Sequence, residues 1–270
     1  MRWQEQAKMN KKLQKILKIP LYVVLFAITY YLAYSYFTIG MTKIGSVDNL
    51  KNYVTKKDTA HKNDIMLALD SCVALLKDNN IQTKTNKRII FCTNIKTYNL
   101  KTFFLHKNTL GVNHTLFNAI IMAPADYKNN KQNKNDERLI NRKISDAVAH
   151  EITHLYMQER VGYLRNITMG LFQKWKTEGF CEYIANSSSF DIEKGKRIFL
   201  GDKSLRKEML DSNLMKTCYF YFESRLKTDF LLSYKKLTFD KFINTNFDKG
   251  ELESEIRQKL LSGEYVFDKQ

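Results

Sequence analysis

Apolar residues recur at three- and four-residue steps over residues 139–155, and this spacing predicts an amphipathic helix. Its apolar positions are Leu139, Ile140, Ile144, Ala147, Val148, Ile152 and Leu155. Asn135 or Asp136 would serve as the N-cap, because their side chains accept hydrogen bonds from the first helical N–H groups. After Gly162 and Gly170, residues 175–185 are again compatible with a helix. The chain from there to about residue 263 is predicted to be mainly helical, with an aromatic face that belongs in the core.

Shorter patterns in the first half of the chain predict a small sheet. Residues 46–79 are interpreted as two helices, the second beginning near Asp58. Residues 88–92 and 117–123 are rich in β-branched and aromatic residues and predict strands, the second ending at Pro124. A polar loop over 126–136 follows. The expected fold class is α+β and mostly helical, with a small sheet packed on the helix of residues 139–155 and a helical C-terminal lobe.

Residues 19–41 form an apolar run without a charged residue, long enough for a transmembrane helix. Six basic residues and one acidic residue precede it, which places the N-terminus in the cytoplasm of a single-pass cell-membrane protein. The predicted organisation is a cytoplasmic basic tail (1–18), a signal anchor (19–41) and an extracytoplasmic domain (42–270) with lobes 42–135 and 136–270. A signal peptide cleaved near Ala33–Ser35 is the alternative, and it predicts secretion.

Composition narrows the class of protein further. A 270-residue chain with 44% hydrophobic residues can bury a full core. The net charge of +16 is spread along the chain without a recognisable nucleic-acid-binding module, so no nucleic-acid partner is predicted. The excess positive charge is compatible with binding to anionic lipid or to a polyanionic cell wall. It is equally compatible with a solvated, lysine-rich surface that binds neither. The four cysteines lack the spacing of a metal site, and the sequence is compatible either with disulfides or with buried thiols. The sequence does not determine the oligomeric state.

The strongest chemical pattern is His150-Glu151-Ile152-Thr153-His154, in the second half of the predicted helix. Side chains four residues apart share a helical face, so both imidazoles can bind one Zn²⁺ ion while Glu151 reaches a water molecule as general base. Glu178 is the expected third ligand. Glu182, one turn later, is expected to accept the other ring N–H of a ligand histidine, although the two glutamates could exchange roles.

These residues, followed by Trp175-x-x-Glu178-Gly179-Phe180, resemble the gluzincin metallopeptidases. The resemblance implies a zincin-like fold, with His150, His154 and Glu178 on zinc and Glu151 as base. It also implies that an edge strand pairs with the substrate backbone, for which the candidate segment is Asn118, Ala119, Ile120, Ile121 and Met122. The longer gap between His154 and Glu178, and the lack of a G-x-M-E-N stretch, argue against an aminopeptidase and match minimal membrane-linked gluzincin-like peptidases.

The predicted function is zinc-assisted hydrolysis of peptide bonds in a peptide or protein substrate, with endopeptidase action favoured. Zinc would activate the attacking water, and Glu151 would remove its proton and deliver it to the leaving amine. The candidates for stabilising the oxyanion are Tyr163, Tyr219, Tyr221 and His114. Two alternatives stay open, a non-catalytic membrane-anchored binding or assembly protein with this fold and a zinc hydrolase of a non-protein amide.

Overall fold

A computed structural model describes residues 22–25, 28–29, 31–32, 35–47, 50–55, 59–84, 87–103, 109–114, 119–132, 138, 140, 142–162, 164–165, 168–169 and 173–267. The strands are β1 (Met41–Val47), β2 (Leu50–Thr55), β3 (Lys87–Phe91), β4 (Gly111–His114), β5 (Ala119–Met122), β6 (Ala125–Asp126) and β7 (Lys131–Gln132). The helices are α1 (Lys62–Asp78), α2 (Ile95–Lys101), α3 (Ile144–Val161), α4 (Lys174–Ala185), α5 (Ile192–Leu200), α6 (Lys203–Met209), α7 (Asn213–Asp229), α8 (Phe239–Asn244) and α9 (Lys249–Leu261). The fold is α+β with helix predominating.

Five strands form a mixed sheet in the order β1-β2-β3-β5-β4. The three central strands, β2, β3 and β5, run parallel, whereas β1 and β4 lie antiparallel at the two edges. Strands β6 and β7 form a separate hairpin. The parallel centre requires crossover connections, and α1 provides the one between β2 and β3.

Alternation along the central strands divides the core into two layers, because successive strand residues point to opposite faces. Ile89, Phe91 and Ile120 face the larger apolar cluster, which also contains the buried sides of α1, α3, α4 and α7. Ile90 and Ile121 face a smaller cluster on the other side of the sheet, together with Phe37, Met41, Tyr98 and Val112. The candidate chemistry lies on the larger cluster's side, since α3 packs there.

The predicted transmembrane helix over 19–41, and with it the single-pass location, is wrong. Helical residues end at Tyr36, a turn with Gly40 at φ +75° follows, and β1 begins at Met41 inside the predicted span. The Lys101 ammonium donates to the carbonyls of Tyr36 and Ile39 and so caps this helix end. Among the described residues, no helix combines the length and the apolar character that a bilayer crossing needs. The basic tail, 1–18, lies outside the described residues.

Several local predictions also need correction. Residues 46–55 belong to β1 and β2 rather than to a helix, and only the helix predicted to begin near Asp58 is present, as α1. Helix α3 begins at Ile144, where the Asn130 side chain accepts from the N–H groups of Ile144 and Ser145, while the predicted N-caps at 135–136 lie outside the described residues. The predicted 126–136 loop overlaps the β6–β7 hairpin, and its residues 133–136 lie outside the described residues. All four cysteines are described and buried, and no disulfide joins any two of them.

Helices α4 and α7 pack closely and run in the same direction. Lys174 lies over Phe220, Gly179 lies against Ser224 and Thr228, and the Tyr183 and Ser233 hydroxyls are 3.1 Å apart. A Cβ on Gly179 would come within 2.4 Å of the Ser224 carbonyl oxygen, so only glycine permits this approach. The contact fixes α4, which carries Glu178 and Glu182, against the rest of the helical layer.

Candidate metal centre

Helix α3 places His150 and His154 on one face, as a four-residue separation requires. His150 is buried at 7% exposure, and His154 is half-buried. Their Nε2 atoms lie 3.1 Å apart, with ring centroids separated by 4.9 Å. Two imidazole nitrogens at this distance either share one hydrogen atom in a hydrogen bond or lie within reach of a common metal ion.

Glu178 provides a third electron-pair donor at the same point. Its Oε2 atom lies 3.4 Å from Nε2 of His150 and 3.4 Å from Nε2 of His154. A tetrahedral zinc ion with ligand bonds of 2.0–2.1 Å separates its ligand atoms by about 3.3 Å. The three protein atoms therefore already have the mutual spacing of three corners of a zinc site, before any movement.

Glu182 lies behind His150, on the side away from Glu178. Its Oε1 atom is 2.8 Å from His150 Nδ1 and accepts a hydrogen bond from Arg142 Nη1, also at 2.8 Å. A carboxylate this close to Nδ1 favours the tautomer with its proton on that atom, which leaves the Nε2 lone pair for a metal ion. The arrangement favours Glu178 as the metal-facing carboxylate and Glu182 as the orienting one. Arg142 was not predicted from the sequence, because it belongs to no motif and only the tertiary fold brings it to Glu182.

The electrostatics of the cluster favour a positive charge between the imidazoles. Burial lowers the pKa of His150, but Glu178 and Glu182 outweigh burial and raise this pKa to about 9. Burial raises the pKa of Glu182, and Arg142 and His150 reverse the effect and lower the pKa to about 2. The two histidines likewise hold the pKa of Glu178 well below its usual range against the effect of burial. Ionised carboxylates around paired imidazoles form a site that attracts a cation.

Cys181 adds a thiol to this neighbourhood, which the sequence reasoning did not assign to the site. Its Sγ atom and one nitrogen from each of His150 and His154 all lie within 4.8 Å of one another. Burial, followed by the charges of Glu178, Glu151 and Glu182, raises the pKa of the Cys181 thiol well above its ordinary value. The Glu178 oxygen lies 3.4 Å from both imidazole nitrogens, which matches the spacing of a third corner. The donor set of imidazole, carboxylate and nearby thiol suits Zn²⁺.

Glu151 lies beside the paired histidines and contacts the edge of the sheet. A Cβ added to Gly111 in β4 would come within 3.0 Å of Glu151 Cγ, so the two residues touch. The edge strand near the site is therefore β4. The prediction that this segment is an edge strand is wrong for Ala119–Met122, which forms β5 and is buried and paired on both sides, by β3 and β4. Asn118 lies outside the described residues.

Only one of the four oxyanion candidates is close to the paired histidines in the described structure. The ring of Tyr221, on α7, has its centroid 6.2 Å from that of His150. Burial and the nearby carboxylates of Glu178, Glu182 and Glu151 raise the pKa of the Tyr221 phenol, so it stays a neutral donor. Tyr219 packs against Phe190 in the core, and His114 lies against Phe37 on the opposite face of the sheet. Tyr163 lies outside the described residues.

No protein-family model matches this chain, and comparison with curated proteins and with solved structures finds no significant similarity. The resemblance to gluzincins therefore rests on the motif residues and their arrangement.

Proposed function

We propose that this protein is a zinc-dependent peptidase whose metal ligands are His150, His154 and Glu178. The observation that carries the proposal is the convergence of two Nε2 atoms and one carboxylate oxygen, each 3.1–3.4 Å from the others. The orienting carboxylate of Glu182 supports it. A purely structural pair of histidines needs neither a second carboxylate behind one ring nor a third donor in front.

When bound, zinc would lower the pKa of a water molecule towards neutrality and polarise the scissile carbonyl. Glu151 is the general base in this proposal, because it follows His150 directly and its side chain reaches the open edge of the sheet at Gly111. It takes a proton from the attacking water and delivers the proton to the departing amine. Tyr221 donates to the oxyanion that forms on the former carbonyl oxygen.

The substrate main chain is proposed to pair with β4. One side of this strand pairs with β5, and its other side is an edge of the sheet. Unpaired N–H and C=O groups along an edge bind an extended peptide by adding a strand. The scissile bond would then lie near Gly111, which brings it beside Glu151. Main-chain pairing depends little on side chains, so specificity must come from elsewhere in the cleft.

The test is zinc stoichiometry combined with cleavage of a peptide library by the purified protein. We expect one zinc per chain, cleavage that a chelator abolishes, and recovery on addition of zinc. Glu151→Gln should lower kcat by at least about 100-fold, the usual contribution of a general base, while the zinc content stays at one. Glu159→Gln, in the same helix, is the matched control and should retain activity. Zinc binding with no cleavage by the wild-type protein would overturn the peptidase proposal.

Cys181 supports one second candidate, a structural zinc site. With the thiolate as a fourth ligand, all four positions would come from protein, and a closed site cannot activate water. The Co²⁺-substituted protein distinguishes the two. Thiolate ligation gives an intense charge-transfer band in the near ultraviolet, and its loss in Cys181→Ala would identify the closed site. A spectrum without that band supports the open, catalytic site.

A further inference from the structure

A surface cavity at the start of α4 and α7 is not part of the metal centre described above. It has a volume of about 310 Å³, and among the described residues it is lined by Lys174, Asn213, Lys216, Thr217 and Phe220. Two of these side chains are cationic and none of the five is acidic. Within the part of the chain that the structure describes, no carboxylate lies in ion-pair distance of either ammonium group. The cavity is therefore a local concentration of unneutralised positive charge.

The cavity is adjacent to the proposed catalytic residues through helix geometry. Lys174 precedes Glu178 by four residues on α4, and Thr217 precedes Tyr221 by four residues on α7. Residues four apart share a face and are about 6 Å apart along the helix axis. Because the two helices are parallel, the cavity lies one turn before the metal centre on both of them.

Side-chain packing holds part of this charge in position. The Lys174 ammonium lies 5.5 Å from the centroid of the Phe220 ring, within the range of a cation–π interaction. Phe220 is half-buried beside Tyr221, whose ring contacts His150. Both helices also begin at this cavity without an acidic residue in the first turn, so the positive ends of their dipoles add to the lysine charges.

We propose that this cavity binds an acidic side chain of the peptide substrate and so selects peptides with Glu or Asp close to the cleaved bond. The inference rests on the proposed peptidase function. An extended peptide advances about 3.4 Å per residue, so a cavity one helical turn before Glu178, about 6 Å along the axis, receives a side chain within about two residues of the scissile bond. Its volume is sufficient for a carboxylate side chain, with the lysines as partners and the Phe220 ring beside its methylene groups.

Binding is measured first, without catalysis, on the zinc-loaded Glu151→Gln protein. The probes are fluorescent decapeptides of one sequence in which a single position carries Glu, Gln or Lys, and that position is moved along the peptide. We expect the Glu peptide to bind about tenfold more tightly than the Gln peptide at one or two adjacent positions. The preference should weaken in about 0.5 M salt, since screening acts on exposed charges over a few ångströms.

Charge reversal then identifies the cavity. Lys174→Glu combined with Lys216→Glu should remove the preference for Glu and create one for Lys, while zinc content and melting temperature remain unchanged. The matched control is Lys128→Glu combined with Lys194→Glu, which makes the same change in net charge on exposed lysines outside the cavity. If the control loses the preference equally, the effect belongs to overall charge and the inference is wrong.

Failure of this inference and failure of the peptidase proposal give different results. Cleavage of peptides with equal efficiency whether Glu, Gln or Lys stands near the bond would refute the acidic subsite and leave the peptidase intact. The lack of any cleavage together with tight, Lys174-dependent binding of the Glu peptide would refute the peptidase and leave an acidic-peptide site.

Discussion

Replacement of Gly179 by alanine tests the packing on which the proposed third metal ligand, Glu178, depends. The added methyl group would meet the Ser224 carbonyl oxygen and the Thr228 Oγ1 atom, each at 2.4 Å. Ordinary contacts between such atoms begin near 3.4 Å, so α4 and α7 must separate by about 1 Å. The closest obstacle is a backbone atom of a helix, which cannot rotate away as a side chain can.

Two opposing effects determine how much Gly179→Ala changes the free energy of unfolding. Overpacking of a tight interface costs about 1–3 kcal/mol, and the contact with the Ser224 backbone places this site at the upper end. The higher helix propensity of alanine offsets about 1 kcal/mol. The net loss is about 2 kcal/mol of unfolding free energy, which lowers Tm by about 4–8 °C in a chain of this size. Because Glu178 precedes Gly179, zinc binding should weaken as well.

The assay is thermal unfolding followed by circular dichroism, with zinc affinity measured by competition against a chromophoric chelator. Gly250→Ala is the matched control, since its nearest contact is the Asp248 Oδ1 atom at 3.3 Å and it lies in the exposed first turn of α9. We expect the control to melt at or slightly above the wild-type temperature. A Gly179→Ala protein that is as stable as this control would refute the close approach of α4 and α7.

Three further predictions concern the metal centre. Glu182→Ala should weaken zinc binding by about 10–100-fold and destabilise the fold by about 3–5 kcal/mol, because it leaves Arg142 buried without its carboxylate; unchanged affinity in chelator competition would contradict the orienting role. Glu178→Ala should reduce zinc affinity far more than Cys181→Ala does, and the reverse order would assign the third ligand to the thiol. Tyr221→Phe should lower kcat about 100-fold with little change in zinc content, and a change in KM alone would exclude oxyanion stabilisation.

The candidate site was predictable because its spacing is local. His150 and His154 occupy one face of a helix by virtue of a four-residue separation, and the same rule applies to Glu178 and Glu182. The structure brings all four side chains together. Arg142 and Gly111 could not be found in this way, because a single basic residue before a helix and a single glycine in a short strand have no periodicity. Their contacts with Glu182 and Glu151 exist only through the tertiary fold.

The N-terminal prediction failed for a different physical reason. An apolar run shows that side chains are hydrophobic, but it does not fix where a helix ends, and here the last residues of the run form a turn and the start of β1. Only the end of the run belongs to the folded core, where Phe37 and Met41 are buried against the sheet. Earlier side chains such as Val23 and Leu32 are more than half exposed. Strand β2 was visible in principle, since Leu50, Asn52 and Val54 are buried in alternation with more exposed neighbours. The strand was not predicted because the middle buried position is Asn52, a polar residue that interrupts the apolar alternation.

The dependence of α4 on α7 has a consequence for the order of events during synthesis. Helix α4, which carries Glu178, packs against Ser224 and Thr228 of α7. The ribosome adds these residues about fifty positions later, after α5 and α6. A nascent chain that has only reached Asn186 already contains every proposed zinc ligand but lacks the support that holds one of them in place. Loading of the metal should therefore follow release of α7 from the exit tunnel, and C-terminally truncated chains should acquire zinc poorly although their motif is intact.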